Sequence, residues 1–107
     1  SNRCYYFGSG TTSKIELPST TPLPYTRYES WTMSVWLKLE DLGLSGTTQY
    51  IFGKASSSTN EGFHYYYDYD QGGFVFYAQD NTPGYACKIK CDYTNTNEWI
   101  HLVVLSW

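Results

Sequence analysis

Between Trp31 and Leu39, apolar side chains recur at every second position, and this alternation constrains the fold more than any other feature of the chain. One set consists of Trp31, Met33, Val35, Leu37 and Leu39, and the other of Thr32, Ser34, Trp36 and Lys38. Successive side chains of a β-strand point to opposite faces of the sheet, whereas a helix would space its apolar residues three or four apart. We therefore expect a half-buried strand whose first set faces a core.

Seven other short runs rich in strand-favouring residues are separated by clusters of Gly, Pro, Ser, Asn and Asp. The eight predicted strands are Cys4–Phe7, Lys14–Leu17, Trp31–Leu39, Gln49–Lys54, Gly62–Asp70, Phe74–Gln79, Tyr85–Cys91 and Trp99–Trp107. The fifth alternates again, with Phe63, Tyr65, Tyr67 and Tyr69 against His64, Tyr66, Asp68 and Asp70. The Gln71-Gly72-Gly73 segment predicts a hairpin, and Asp80 to Gly84 a second turn. Many short strands without helical periodicity indicate an all-β antiparallel sandwich or jelly roll.

Length and composition fit one globular domain over residues 1–107 and exclude several classes of protein. The chain has 107 residues, of which 20% are aromatic and 16% charged, the opposite of a disordered segment. Its net charge is −3 and its Lys and Arg are scattered singly, so we expect no nucleic-acid partner. No apolar run approaches the roughly 18 residues of a membrane-spanning helix, so we expect no membrane insertion.

The last predicted strand is apolar on both faces, which favours a central, well-covered position in a sheet. Trp99, Val103 and Leu105 would lie on one face, and Ile100, Leu102 and Val104 on the other. The sequence stops within this strand, before any neighbour that would cover it. We therefore expect a domain that is the N-terminal part of a longer one, or one that another chain completes; in an isolated monomer the strand would form an exposed apolar patch.

The cysteines are three in number, Cys4, Cys87 and Cys91, and an odd count leaves at least one thiol without an intrachain partner. In an extended strand, the Cα atoms of Cys87 and Cys91 would be about 13 Å apart, which is too far for a disulfide. An intrachain bridge would then join Cys4 to one of them. The remaining thiol would be free, bonded to another chain or paired with a cysteine outside this segment.

Five motifs follow one another in a familiar order. They are Tyr5-Tyr6-Phe7-Gly8-Ser9-Gly10, Lys14-Ile15-Glu16-Leu17-Pro18, Trp31-Thr32-Met33-Ser34-Val35-Trp36-Leu37-Lys38, Ile51-Phe52-Gly53-Lys54 and Glu98-Trp99-Ile100-His101-Leu102-Val103-Val104. In order and spacing the chain resembles the laminin G-like domains of the concanavalin A-like lectin/glucanase fold. Those domains normally continue with a further hairpin and a closing strand, which are not present here. The resemblance implies an extracellular, secreted or cell-surface recognition module that binds a glycan or a protein.

Catalysis is not expected, although the same fold hosts glycoside hydrolases. Those relatives carry an E-x-D-x-x-E pattern on one strand, and this sequence has none. Asp68 and Asp70 share a face, but at the end of a strand that runs into a turn. His64 and His101 each lie in a strand without a nucleophile motif, so a structural role is the simpler interpretation for both.

Calcium is the one cofactor that the resemblance suggests, because many laminin G-like domains bind it at the rim of the sandwich. Asp68, Asp70, Asp80 and Asp92 lie near turns, and calcium prefers carboxylate and carbonyl oxygens. Asp is also simply a favourable turn residue. The sequence leaves both interpretations open and assigns no ligands.

A carbohydrate site is the binding hypothesis that the outward residues support. Trp36, His64, Tyr66, Asp68 and Tyr77 are predicted to face outward together, with Lys38 and Gln79 beside them. A sugar site combines an aromatic platform with fixed polar groups. The alternative is that these rings pack on missing strands or on a neighbouring subunit. The second functional hypothesis is therefore a structural subunit of an extracellular fibre or appendage, a homo-polymer assembled through the open C-terminal strand and the aromatic faces.

Overall fold

Six β-strands build the fold in the computed structural model, which describes residues 3–8, 14–18, 30–55, 62–79 and 86–106. The strands are β1 (Trp31–Leu37), β2 (Thr48–Ala55), β3 (Gly62–Asp68), β4 (Gly73–Gln79), β5 (Ala86–Asp92) and β6 (Ile100–Ser106). Across these described ranges there is no helix, and therefore none long and apolar enough to cross a membrane.

Two antiparallel sheets face each other. The larger contains β2, β3, β4 and β5 in chain order, and the smaller pairs β1 with β6. In the smaller sheet Met33 lies opposite Val104 and Val35 opposite Leu102, so the first and last described strands meet. The prediction of an all-β antiparallel sandwich is confirmed.

The period-two alternation separates core from surface as the sequence predicts. Along β1 the residues of the Trp31 set are half-buried, and those of the Trp36 set are exposed. Along β3, Phe63, Tyr65 and Tyr67 are buried while His64, Tyr66 and Asp68 are half-buried on the opposite face. Both face assignments are confirmed, except that Tyr69 and Asp70 belong to the following turn.

Aromatic rings of β3 and β4 form the centre of the core. Its buried members are Phe63, Tyr65, Tyr67, Phe74, Phe76 and Ala78. The smaller sheet covers them with half-buried side chains, among them Trp31, Met33, Leu37, Ile100, Leu102 and Val104. The Trp31 and Phe76 rings lie 5.3 Å apart between centroids and join the two sheets directly. The buried Tyr67 hydroxyl donates a 2.7 Å hydrogen bond to the carbonyl oxygen of Tyr93, which satisfies its polar end.

The predicted hairpin between β3 and β4 is present. Gly72 has a φ of 65°, a left-handed conformation that glycine adopts without steric cost, and its amide donates to the Tyr69 carbonyl oxygen at 3.1 Å. Gly73, the first residue of β4, lies so close to the Cys91 carbonyl that a Cβ there would collide with it. Gly72 therefore permits the turn, and Gly73 permits the close approach of β5.

The two N-terminal strand predictions are wrong. Residues 3–8 and 14–18 are described, and neither Cys4–Phe7 nor Lys14–Leu17 forms a strand. A strand requires a ladder partner, and a run of four strand-favouring residues carries no information about whether one lies beside it. The second predicted turn (80–84), Tyr85 and Trp107 lie outside the described residues.

The two faces predicted for the last strand are confirmed, and its central position in a completed sheet stays a prediction. Ile100, Leu102 and Val104 are half-buried against the core. Val103 and Leu105, on the other face, are 44% and 53% exposed. Within the described part of the chain, β6 pairs with β1 alone. The apolar patch expected of this strand in a single chain is present.

We predict that replacing Phe76 with alanine lowers the free energy of unfolding by about 3–5 kcal/mol, because its ring is buried and removing it leaves a cavity. Urea denaturation measures the change. Val103→Ala, on the exposed face of β6, is the matched control and should cost less than about 1 kcal/mol. Equal losses at both positions would contradict the placement of the core.

We also predict a loss of stability at alkaline pH that depends on Tyr65. Its side chain is 3% exposed, and burial, with a smaller contribution from Cys91, raises the pKa of Tyr65 to about 12. Because an unfolded tyrosine ionises near pH 10, this contribution is fully present below about pH 10 and disappears as the pH rises through about 12. The loss should be about 2–3 kcal/mol in urea denaturation.

The control for this pH dependence is Tyr65→Phe, which cannot ionise. Its free energy of unfolding should fall less steeply than that of the unmodified chain between about pH 10 and about pH 12. If both proteins lose the same amount over that range, the buried Tyr65 hydroxyl is not the cause.

Candidate ligand-binding face

The outer face of the larger sheet gathers aromatic and polar side chains that point away from the core. Cross-strand register aligns Tyr50, Tyr66, Val75 and Lys90 in one row, and Gly53, His64, Tyr77 and Lys88 in the next. Asp68 lies in a third row, beside Gly73 and Asp92. We call the set Tyr50, His64, Tyr66, Asp68, Tyr77, Gln79, Lys88 and Lys90 the tyrosine face.

At the β2 side of the tyrosine face, the Tyr50 ring contacts two other rings, those of His64 and Tyr66. Tyr50 is 68% exposed, and its ring centroid lies 5.8 Å from that of His64 and 5.6 Å from that of Tyr66. Both contacts are tilted or edge-on, the arrangement that aromatic quadrupoles prefer. The three rings therefore form one continuous aromatic surface, exposed at Tyr50 and half-buried at His64 and Tyr66.

A bulge in β2 puts Tyr50 on this face. The register shifts between Tyr50 and Phe52, and both Ile51 and Phe52 pack against the core. Two consecutive inward residues break the period of two, which leaves Tyr50 pointing outward. The prediction from sequence missed Tyr50, because a bulge leaves no mark in simple alternation.

Gly53 keeps the His64 ring open on its β2 side. The two residues lie opposite each other in the ladder. A Cβ on residue 53 would lie 2.8 Å from the Phe63 carbonyl oxygen and 3.4 Å from Nδ1 of His64. A larger residue would push β2 away from β3, so glycine both permits the close approach and leaves the imidazole accessible.

The polar groups of the face are fixed by hydrogen bonds. Gln71 donates to both carboxylate oxygens of Asp68, from its side-chain amide at 2.8 Å and from its backbone amide at 3.1 Å. These bonds hold the pKa of Asp68 below its ordinary value. The Tyr77 hydroxyl donates to Oε1 of Gln79 at 2.9 Å, and burial, followed by the charge of Asp68, raises the pKa of Tyr66.

Positive charge borders the face at β5. Lys90 forms a 2.8 Å ion pair with Asp92 and donates to the Gln71 carbonyl oxygen at 3.1 Å. Lys88 lies opposite Tyr77. The tyrosine face therefore has basic groups along β5, where the Asp92 carboxylate lies beside them.

Trp36 does not belong to this face, and the prediction that it points outward together with Tyr66 and Tyr77 is wrong. It lies on β1 in the smaller sheet, so the core separates it from the tyrosine face. It is 64% exposed and stacks on His101 at 4.6 Å with the planes 5° apart. Beside this pair, Lys38 lies 5.6 Å from the centre of the Trp99 ring. Alternation along β1 indicates which side faces outward but not which sheet the strand joins.

The described acidic residues considered for calcium already have polar partners within the chain. Asp70 accepts hydrogen bonds from the Ser45 hydroxyl at 2.8 Å and the Gly46 amide at 2.7 Å, while Asp68 bonds Gln71 and Asp92 pairs with Lys90. Asp80 lies outside the described residues. No group of three or more His, Cys, Asp or Glu side chains in the described ranges is arranged to hold a metal ion.

All three cysteines are free and exposed in the structure. The predicted bridge from Cys4 to Cys87 or Cys91 is not formed. Cys87 and Cys91 both lie on β5, the last strand of the larger sheet. They remain available for bonds outside this chain.

Comparison with known proteins agrees with this architecture. A laminin G-type family model, described as the concanavalin A-like lectin/glucanases superfamily, matches residues 9–106. The chain belongs to this family. No curated protein and no solved structure matches it. Membership indicates a module that binds carbohydrate or protein, and laminin G-like domains are generally non-catalytic.

We predict that Gln71→Ala raises the pKa of Asp68 towards its ordinary value, because the side-chain amide of Gln71 is the main cause of the lowering. Titration of the Asp68 carboxyl signal by NMR measures the change. Gln79→Ala, which removes an amide from the same face without touching that hydrogen bond, should leave the pKa of Asp68 unchanged. An unchanged value in Gln71→Ala would contradict the assigned cause.

Proposed function

We propose that this laminin G-like chain is a non-catalytic extracellular recognition module that binds a glycan on the tyrosine face. The observation that supports this proposal is the cluster of accessible rings formed by Tyr50, His64 and Tyr66, with Tyr77 beside them and hydrogen-bonded polar groups around them. Binding sites for small polar ligands combine an apolar platform with a few oriented polar groups. The tyrosine face has both.

Each part of the face has a separate task in this proposal. The apolar C–H side of a sugar ring would pack on Tyr66 and Tyr77. Its hydroxyls would donate to Asp68, which accepts without donating because the lowered pKa keeps it ionised. Tyr66 stays neutral, since its pKa is raised, and its hydroxyl can donate to a ring or hydroxyl oxygen. Lys88 supplies a donor at the other side.

The acid–base character of the face argues against hydrolysis. A glycosidase needs a carboxylic acid with a raised pKa facing a second carboxylate about 5–9.5 Å away. The hydrogen bonds from Gln71 shift the pKa of Asp68 downward, and the Asp92 carboxylate is paired with Lys90 at 2.8 Å. The face therefore suits recognition better than proton transfer.

We expect Tyr66→Ala and Tyr77→Ala each to weaken the binding of a glycan by about 1–3 kcal/mol, by analogy with the stacking of nucleic-acid bases on aromatic side chains. A glycan array identifies the ligand class, and calorimetry on the best ligand measures the loss. Circular dichroism checks that each variant keeps its β-sheet signal.

Trp36→Ala is the matched control, because it removes a large exposed ring from the opposite side of the sandwich. It should leave the glycan affinity unchanged. A loss in Trp36→Ala with none in the tyrosine variants would move the site to the smaller sheet, and the tyrosine-face proposal would then be rejected.

The second candidate is a structural subunit that polymerises through β6. The observation in its favour is the apolar outer side of that strand, where Val103 and Leu105 are exposed together with Trp99, which directly precedes the strand. Such a patch is typical of an interface. Ordered polymers in sedimentation and electron microscopy, together with a blank glycan array, would favour this candidate over a glycan-binding monomer.

A further inference from the structure

The residues of β5 that lie on the inner face of the larger sheet are not buried. Its register places Cys87 beside Ala78, Ile89 beside Phe76 and Cys91 beside Phe74, and these three partners on β4 are all buried. Every residue of β5 is nevertheless exposed, Ile89 at 50%. The inner face of the larger sheet thus changes from buried to exposed within one strand.

The residue types on this side make that exposure unusual. Cysteine and isoleucine are among the residues most often fully buried in proteins. Among the described strands, β5 is the last of its sheet, and only β4 pairs with it. Its outer edge is therefore a row of backbone groups next to an uncovered Cys-Ile-Cys side.

The spacing of the two cysteines is self-complementary. When two copies of β5 pair antiparallel about a twofold axis at Ile89, Cys87 of each copy lies opposite Cys91 of the other, on the same face of the sheet. Opposed residues in an antiparallel ladder have Cα atoms about 4.5 or 5.5 Å apart. Both distances fall within the range of about 4.4–6.8 Å that a disulfide requires.

We propose that the β5 edge binds a second copy of this chain and that two symmetric disulfides, each joining Cys87 of one copy to Cys91 of the other, close the dimer. Within one chain the same two thiols cannot bond, since their Cα atoms are about 13 Å apart along the strand. The two Ile89 side chains meet at the axis. This proposal is independent of which face binds a glycan.

The reaction requires a disulfide oxidant, and glutathione disulfide is sufficient. A Cys87 thiolate attacks one sulfur of glutathione disulfide, and a first glutathione thiolate leaves. The Cys91 thiolate of the other copy then attacks the mixed disulfide, and a second glutathione leaves. Each interchain bond thus consumes one glutathione disulfide and releases two glutathiones; the dimer consumes two and releases four.

Charge opposes association before the disulfides form. On the outer face the same register places Lys88 of each copy opposite Lys90 of the other, and like charges directly opposed destabilise a ladder. Lys90 is already neutralised by Asp92 and held towards Gln71, and exposed charges are screened by salt. We therefore expect a monomer under reducing conditions and faster covalent dimerisation when sodium chloride is added.

The deciding experiment mixes two single-cysteine chains. In a Cys4→Ser background, Cys91→Ser retains only Cys87, and Cys87→Ser retains only Cys91. Each is incubated alone and with the other in a glutathione redox buffer, then analysed by non-reducing electrophoresis and intact mass. The mixture should give a covalent heterodimer as its main product, and each variant alone only a trace of dimer.

Two further results test the register. In the Cys4→Ser chain with both β5 cysteines, peptide mapping should find the Cys87–Cys91 interchain bond. Moving the second thiol to the opposite face with Lys90→Cys and Cys91→Ser should abolish the doubly bonded dimer. Equal dimer in the single variants and the mixture, or no dimer in the mixture, would overturn the proposal, provided that circular dichroism shows the variants folded.

Discussion

The contact between the aromatic rings of β3 and β4 and the inward side of β1 and β6 is the interaction on which the rest of the structure depends. Trp31 meets Phe76 across the sandwich, and Phe76 in turn contacts Phe63 and Tyr65. A two-stranded ribbon is marginally stable by itself. The β1–β6 pair therefore owes its stability to burial against these rings, and in turn it shields the inward side chains of β3 and β4 from water.

This one contact also determines which residues are available for binding. Once Tyr65 and Tyr67 are buried, the period of two requires His64, Tyr66 and Asp68 to point the other way. The tyrosine face is thus the outward complement of the core. A one-residue slip of β3 would exchange the two sets and bury Asp68, so the same alternation that specifies the fold also presents the site.

The sequence was sufficient for features that arise from alternation and turn chemistry. It predicted the two faces of β1 and β3, the Gly72 hairpin and the outward position of His64, Tyr66 and Tyr77. It was not sufficient for features that depend on which strand lies alongside another. One such feature is the bulge that turns Tyr50 outward. Another is the pairing of β1 with β6, which separates Trp36 from the tyrosine face. Both depend on contacts between residues distant in sequence, which a local sequence pattern does not predict.

The widths that the described strands give the two sheets explain why β5 remains uncovered. Strands lie about 4.8 Å apart, so two strands cover about half the width of a four-stranded sheet. Pairing β5 with its own copy would join two such sheets into one of eight strands. Edge-to-edge pairing keeps outer faces continuous, so both tyrosine faces would then lie on the same side. Two weak sites held together bind a repeating ligand with higher avidity than either alone, and oxidation of Cys87 and Cys91 would thereby strengthen recognition without changing any contact within a site.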